Sequence, residues 1–386
     1  MNLRKTASAG RSKQMDLNKE MFRENAYRMI ALTRCAVNGE VPDSSLTAAE
    51  GLDALFAVCQ EHILTACTAY ALESAGVQDA AFTQAKNKAI RKNILLDAER
   101  KNVLEHLAQA KIWYMPLKGS VLKDWYPKLG MRQMADNDIL FDSNYRREVK
   151  DVMEACGFTC EHYGYSHNDD YRKPPVSNFE MHPVLFEIGT TAEPLYQYYK
   201  EKIPSVLQQD ETEPYLRRFR NEDFYVYLAA HEYMHFKRGG TGVRSLLDTY
   251  IFMRRCGDAM DWDYIQGELK TLGIADFEMQ NRKLAMKVYQ GEMLDDADKA
   301  LLDYYIFSGV YGTIGNTVKN RVDIAGSKGK YIFRRIFPDM KMIRTYYPFF
   351  YRHKLLIPAL IIWRPFKGLF RNREHLTSEV RHLMRK

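Results

Sequence analysis

The hydrophobic pattern changes twice along the chain, and these changes limit what it can fold into. Residues 15–110 place apolar side chains at spacings of three and four, which predicts amphipathic helices. Residues 111–193 instead alternate short apolar runs with short helical patterns, and helical periodicity returns from residue 194 onward. The sequence therefore predicts an α+β fold, mostly helical, in which a small mixed β-sheet core is flanked by N-terminal and C-terminal helical segments.

The length of the chain indicates more than one packed unit. A chain of 386 residues exceeds what a single hydrophobic core usually organises. We therefore expect an N-terminal helical region over residues 1–110, a sheet-containing core over residues 111–193, and a C-terminal helical domain over residues 194–386.

Four segments of the central region have the pattern of strands. They are residues 112–119 (IWYMPLKG), 136–141 (DNDILF), 159–165 (TCEHYGY) and 176–183 (VSNFEMHP). Residues 163–175 are rich in turn-forming side chains, which predicts a loop or the tip of a hairpin.

Two aspartates separated by one residue begin the second of these strands. Residues two apart on a strand share a face, so the carboxylates of Asp136 and Asp138 would converge. They would repel each other unless a hard divalent cation such as Mg²⁺ lay between them. Glu180, on the polar face of the last strand, could add a third carboxylate, and Glu187 is the alternative. The DND triplet is also favourable in a solvated turn, which would carry no site.

The residues around the first strand are suited to phosphate. Gly119 allows the backbone to approach a ligand, and Ser120 offers a hydroxyl and an amide at the start of a short helix. Lys118 and Arg132 are placed in sequence to neutralise a triphosphate, although both could be ordinary surface charges.

The segment LKGSVLKDWYPKLGMRQMADNDIL resembles the signature of the nucleotidyltransferase superfamily with the DNA polymerase β-like fold. That signature has Gly-Ser or Gly-Gly on a short helix and Asp-x-Asp on the next strand. The segment is most similar to a bacterial group in which Leu-Lys-Gly precedes and Arg-x-x-x-Asp-x-Asp follows. The triplet Glu180-Met181-His182 matches that group's acid-x-His strand, so the resemblance covers about residues 111–190.

The resemblance implies that residues 111–193 are a nucleotidyltransferase catalytic core. It would transfer NMP from an NTP such as ATP to an acceptor hydroxyl or phosphate, with release of pyrophosphate. The metal, Mg²⁺ or Mn²⁺, would be held by Asp136, Asp138 and Glu180, and the nucleotide by Lys118, Gly119, Ser120 and Arg132. A looser likeness suggests a cleft containing His182, His231, His235, Arg244 and Asp248. The acceptor is not specified, and a small molecule such as a sugar or alcohol is favoured over nucleic acid or protein.

A second motif indicates different chemistry. His231-Glu232-Tyr233-Met234-His235 matches HExxH, in which two histidines on one helix face bind zinc and the glutamate acts as general base. A third ligand would have to come from Glu268 or Glu278, neither of which lies in a recognisable motif. A zinc metallopeptidase therefore remains an alternative, as does a non-catalytic nucleotide-binding or regulatory protein of the same fold.

Charge and targeting features favour an intracellular protein with an anionic partner. The net charge is +7, and the six cysteines show no paired spacing. The N-terminus lacks the apolar run of a secretion signal, so we expect a cytoplasmic location. The longest apolar run, Leu355 to Trp363, is too short to cross a bilayer, which takes about 20 residues. Basic residues flank it, which predicts either a helix packed on the body or peripheral contact with a membrane.

Overall fold

The structure is a computed structural model that describes residues 3–164, 167–188, 192–309, 326–338 and 347–371, with residues 322, 340 and 343. The helices before the sheet are α1 Leu3–Asn38, α2 Leu52–Glu61, α3 Thr65–Ser74 and α4 Ala80–Gln109. The central region contains β1 Tyr114–Pro116, α5 Gly119–Leu122, β2 Asn137–Phe141, α6 Arg146–Ala155, β3 Thr159–His162, β4 Asp169–Lys173 and β5 Ser177–His182.

Helices dominate the rest of the described chain. They are α7 Glu193–Val206, α8 Asn221–Arg238, α9 Val243–Cys256, α10 Trp262–Thr271, α11 Ala275–Gln290, α12 Asp296–Ser308, α13 Lys328–Ile336, α14 Pro348–Arg352 and α15 Ile357–Arg371. A two-residue ribbon, β6 Gln208–Gln209 and β7 Arg217–Arg218, lies between α7 and α8. Among the described residues, no helix is both long enough and apolar enough to cross a membrane.

The central strands form one five-stranded sheet in the order β1-β2-β5-β4-β3. β2 and β5 are parallel, and the other neighbours are antiparallel. The predicted fold class, a mostly helical α+β protein with a small mixed sheet, is therefore confirmed.

The prediction of a loop over residues 163–175 was wrong in part, because β4 lies within it. Tyr171 points into the core and Asp169 is also buried, so the strand does alternate. Arg146 donates to both carboxylate oxygens of Asp169 at 2.6 and 2.7 Å. This buried ion pair puts a charged residue where a sequence pattern expects an apolar one, which concealed the strand.

The hydrophobic cores cross the expected region boundaries. One core joins α1–α3 to α9, α11 and α12 through residues such as Leu55, Leu246 and Tyr305. A second covers the sheet face carrying Leu140 with α7–α10, and a third covers the opposite face, at Ile139, with α4 and α6. The three-part division at residues 110 and 193 thus stays a prediction, while the packing joins all three parts.

Candidate active site

The acidic residues meet on the sheet face that is turned toward α8. The parallel register places Asp138 opposite Glu180 and Leu140 opposite His182. Because side chains alternate along each strand, these residues share one face, while Ile139 points to the other. One potential ligand atom from each of Asp138, Glu180 and His182 lies within 4.8 Å of the other two.

Asp138 is the centre of this group. Lys118 Nζ donates to its Oδ1 at 2.8 Å, and His182 Nε2 lies 3.0 Å from the same oxygen. Burial opposes ionisation of Asp138, but Lys118 and His182 outweigh it and hold the pKa of the carboxyl well below its usual range. Asp138 is therefore a fixed negative charge in a largely buried place.

The pKa values of the two neighbouring carboxyls are raised, whereas that of Asp138 is lowered. Burial, together with Asp138 and Asp136, raises the pKa of Glu180 to about 8. Burial and then Asp138 raise the pKa of Asp136, which directly precedes β2, to about 6. His182 Nε2 also lies 3.6 Å from Glu180 Oε2. The site thus concentrates more negative charge than Lys118 neutralises, a condition that a divalent cation relieves.

The turn after β1 brings backbone close to the acids. Lys118 has φ of 47°, a region that non-glycine residues rarely adopt. The next residue is the buried Gly119, where an added Cβ would lie 2.3 Å from Arg132 Nη1 and 3.0 Å from the side chain of Met134. Ser120 is buried, and its hydroxyl donates to Asn137 Oδ1 at 3.3 Å, which fastens α5 to β2. Glycine is thus required here by close packing against Arg132.

Arg132 and Asp248 form a buried ion pair. Arg132 donates through Nε and Nη2 to both oxygens of Asp248 at 2.8 and 2.9 Å, and Tyr126 donates its hydroxyl to the same carboxylate at 2.7 Å. Burial opposes both charges, yet each partner offsets it, so the pKa of Arg132 is raised and that of Asp248 lowered. The pair fastens the segment before β2 to α9, while Nη1 of Arg132 donates to Met134 Sδ at 3.2 Å beside Gly119.

Helix α8 presents two histidines to the sheet. The Nε2 atoms of His231 and His235 lie 3.2 Å apart. Burial lowers the pKa of both rings, that of His235 to about 4, so both are neutral. One turn further on, Arg238 donates to Glu187 Oε2 at 3.1 Å. Glu187, the alternative third carboxylate, is thereby paired with an arginine, whereas Glu180 lies beside Asp138.

The positive charge of Arg244 is only weakly offset by neighbouring groups. Its Nη1 donates to the carbonyl of Gln133 at 3.4 Å, and within the described chain no carboxylate forms an ion pair with it. Burial and the charge of Arg132 lower its pKa, which means that an anion beside it would be stabilised.

These groups surround a cavity of about 510 Å³ between the sheet and helices α8, α9 and α11. Its walls include the sequence-predicted Lys118, Gly119, Arg132, Asp136, Asp138, Glu180, His231, His235, Arg244 and Asp248. Ser120 and His182 are not part of the wall and support it from behind. The sheet side of the cavity carries Asp136, Asp138 and Glu180, and the helical side carries the imidazoles of His231 and His235.

Two residues of this region were missed from the sequence. His167 follows β3 and its ring centre lies 5.5 Å from that of His182, with a pKa lowered to about 3 chiefly by burial. Tyr227 is fully buried, and its hydroxyl has no hydrogen-bond partner among the described residues. A sequence signal existed only for Tyr227, which precedes His231 by one helical turn and so lies on the same face of α8.

The HExxH residues do not form a peptidase site. Glu232 is buried and bonded to Asn281 and Tyr305. Within the described residues, the cluster of potential metal ligands is Asp138, Glu180 and His182, and His231 and His235 have no third ligand beside them. In this chain Glu232 of the motif takes part in the packing between helices, and His231 and His235 line the cavity.

The site thus consists of acids on a small mixed sheet beside a glycine-containing turn. Residues 48–290 match the model of a family described as an uncharacterised nucleotidyltransferase. This match spans more than half of the chain, and the chain belongs to that family. No curated protein and no solved structure matches the chain.

Proposed function

We propose that this protein is a metal-dependent nucleotidyltransferase that transfers NMP from an NTP to a hydroxyl or phosphate of a small molecule. Its family membership supports transfer of a nucleotidyl group. The observation that carries the proposal further is the pairing of Asp138 with Glu180 across β2 and β5, at the wall of a cavity that also exposes Gly119.

The donor set fits a hard divalent cation. Carboxylate oxygens from Asp138 and Glu180, with Asp136 nearby, are the ligands that Mg²⁺ prefers, and Mn²⁺ accepts the same set. Burial, and then the charges of Asp138 and Asp136, raise the pKa of Glu180, and this crowding of carboxyls is consistent with a place for positive charge. When bound, the metal would neutralise charge on the phosphates of the nucleotide.

The protein's own groups would position the substrates. Gly119 allows phosphate oxygens to approach the backbone, and Lys118 and Arg244 supply positive charge on two sides of the cavity. Glu180 is 36% exposed, more than Asp138 at 10%, so the acceptor can approach from its side. Neutral His231 and His235 offer hydrogen bonds without adding charge.

The size of the cavity supports a small acceptor. Pockets of roughly 300–1,000 Å³ are typical of small-molecule sites, and this one is about 510 Å³. A sugar or another alcohol is therefore preferred over a polymer end.

The test is transfer from α-labelled NTPs into a small-molecule extract, with Mg²⁺ or Mn²⁺ present. We expect Asp138→Asn and Glu180→Gln to lower transfer by about 10²-fold or more. The matched control is Glu161→Gln, since Glu161 lies on β3 of the same sheet and pairs with Arg172 at the surface. NTP binding without transfer by the wild type would instead identify a non-catalytic nucleotide-binding protein.

A further inference from the structure

Exposed apolar side chains concentrate near the C-terminal end of the described chain. Half of the large hydrophobic side chains that are exposed among the described residues lie between residues 332 and 363. We call Phe333, Phe337, Phe349, Leu355, Ile362 and Trp363 the C-terminal apolar patch. Leu355 is 96% exposed, Ile362 65% and Phe333 62%. The patch lies outside residues 48–290, so the family match does not account for it.

The helices that carry the patch have apolar side chains on their exposed faces as well as in their contacts with one another. Helices α13 and α14 both contact α15, and Phe350 stacks on Trp363 with ring centres 6.5 Å apart. Leu360 of α15 is completely buried, whereas Ile362 of the same helix is exposed. Tyr331 of α13 is likewise buried, while Phe333 is not. Each helix therefore fills its contact with the neighbouring helix and still presents apolar side chains to solvent, which marks an interaction surface.

The charge around the patch is strongly positive. Residues 326–371 contain eleven lysines and arginines and a single acidic residue, Asp339. The net charge of the whole chain is only +7, so the remainder of the chain is net negative. Of the basic residues, Lys328, Lys330, Arg352 and Lys354 are exposed. Such a local excess of cations beside apolar side chains is complementary to an anionic lipid surface.

We propose that the described segments 326–338 and 347–371 dock on the surface of an anionic lipid bilayer. The aromatic and aliphatic side chains of the patch enter the interfacial region, and the flanking lysines and arginines contact lipid phosphates and carboxylates. Nucleic acid fits less well, because the two most exposed side chains of the patch, Leu355 and Ile362, have no ring with which to stack on a base. This docking is independent of the transferase activity proposed above.

The test is co-sedimentation of the full chain with vesicles. We expect binding to vesicles of phosphatidylcholine mixed with phosphatidylserine, weaker binding to phosphatidylcholine alone, and a decrease as ionic strength rises. Leu355→Ser/Ile362→Ser should lower the partition coefficient about tenfold or more, because burial of two aliphatic side chains is lost. The matched control is Met279→Ser/Met293→Ser, which removes two exposed apolar side chains elsewhere on the surface.

A second variant tests the charge contribution separately. Arg352→Gln/Lys354→Gln changes only exposed side chains and should weaken binding to the anionic vesicles at low ionic strength. Equal binding to both kinds of vesicle, or binding that neither variant alters, would overturn the proposal. So would a shift from dimer to monomer in the apolar variant by analytical ultracentrifugation, which would assign the patch to a second copy of the chain. Binding of RNA that competes with the vesicles and is lost in both variants would also refute it.

Discussion

At the scale of single residues, the acidic site depends on position 119 being glycine, which has no Cβ. A Cβ at position 119 would lie 2.3 Å from Arg132 Nη1, in a place where Arg132 is already held by Asp248. The arginine cannot move aside without straining or breaking that ion pair. Gly119 therefore gives Arg132 and Met134 the space that a larger residue would take.

Gly119→Ala should lower the free energy of unfolding by about 1–3 kcal/mol and reduce nucleotidyl transfer as well. Urea unfolding followed by fluorescence measures the first effect, and the labelled-NTP assay measures the second. Gly267→Ala is the matched control, because Gly267 lies within α10 and has open space around it. We expect that control to be neutral or stabilising by about 0.5–1 kcal/mol. Equal effects of the two substitutions would contradict the steric argument.

Burial raises the pKa of Glu232 against the effect of its hydrogen-bond donors. The hydroxyl of Tyr305 donates to Asn281 Oδ1 at 2.6 Å, and Asn281 Nδ2 donates to Glu232 Oε2 at 2.9 Å. The same hydroxyl also donates to Glu232 Oε1, at 3.2 Å. Burial raises the pKa of Glu232 to about 7, although hydrogen bonds from Ser245, Tyr305 and Asn281 act to lower it.

The raised pKa of Glu232 predicts that the stability of the fold depends on pH. A carboxyl whose pKa is raised on folding contributes its stability fully below the unfolded value of about 4.3 and loses it as pH rises through about 7. Glu232→Gln keeps a side chain of the same shape beside Asn281 and Tyr305 but removes the ionisable group. The variant should therefore gain stability relative to wild type as pH rises from 5.5 to 8.5, by about 1 kcal/mol or more. Urea unfolding across that range tests this, and a difference independent of pH would contradict it.

At the scale of elements, the ion pair between Arg132 and Asp248 couples the segment before β2 to helix α9. Breaking a buried pair by removing one partner leaves an uncompensated charge, which typically costs about 3–5 kcal/mol. Asp248 also receives the hydroxyl of Tyr126, so its charge is shared by two donors.

Arg132→Met should therefore cost several kcal/mol, and Arg132→Met/Asp248→Leu distinctly less than the sum of the two single changes. A double-mutant cycle by urea unfolding measures the coupling. Lys101→Met/Glu105→Leu is the control, since that pair is exposed along one face of α4 and should show little coupling. Additive effects at Arg132 and Asp248 would show that the pair does not join the two elements energetically.

The elements differ in how readily the sequence predicted them. Strand β2 was predicted from the apolar run that follows Asp138, and β5 from the alternation of apolar residues with Glu180. Helix α8 was predicted because its periodicity is helical. β4 was missed because a buried Asp169 neutralised by Arg146 breaks the expected pattern. The pairing of Arg132 with Asp248 was beyond prediction as well. Contacts between residues 116 positions apart leave no local signal in one sequence.

At the scale of the whole molecule, the cores connect helices that precede the sheet with helices that follow it. Helix α9 contributes Leu246 to the core shared with α1–α3 and Phe252 to the core beside the sheet. We therefore expect the N-terminal and C-terminal helices to unfold together rather than as separate domains.

Buried thiols allow this expectation to be tested. Cys59 lies in the N-terminal core and Cys256 at the end of α9, and both are free and buried. Pulsed thiol labelling in increasing urea, read by mass spectrometry, should give the same midpoint for the two residues. Separate midpoints would indicate independent units and would favour the boundaries at residues 110 and 193.

The central claim, that Asp138 and Glu180 hold a divalent metal beside a nucleotide, is tested most directly by crystallography with Mn²⁺ and a non-hydrolysable NTP. Anomalous scattering locates manganese without reference to the protein's own density. We predict a peak within about 2–2.5 Å of oxygens from both carboxylates, with the triphosphate beside Gly119. A peak at His231 and His235, or a nucleotide whose phosphates lie away from Gly119, would contradict the account.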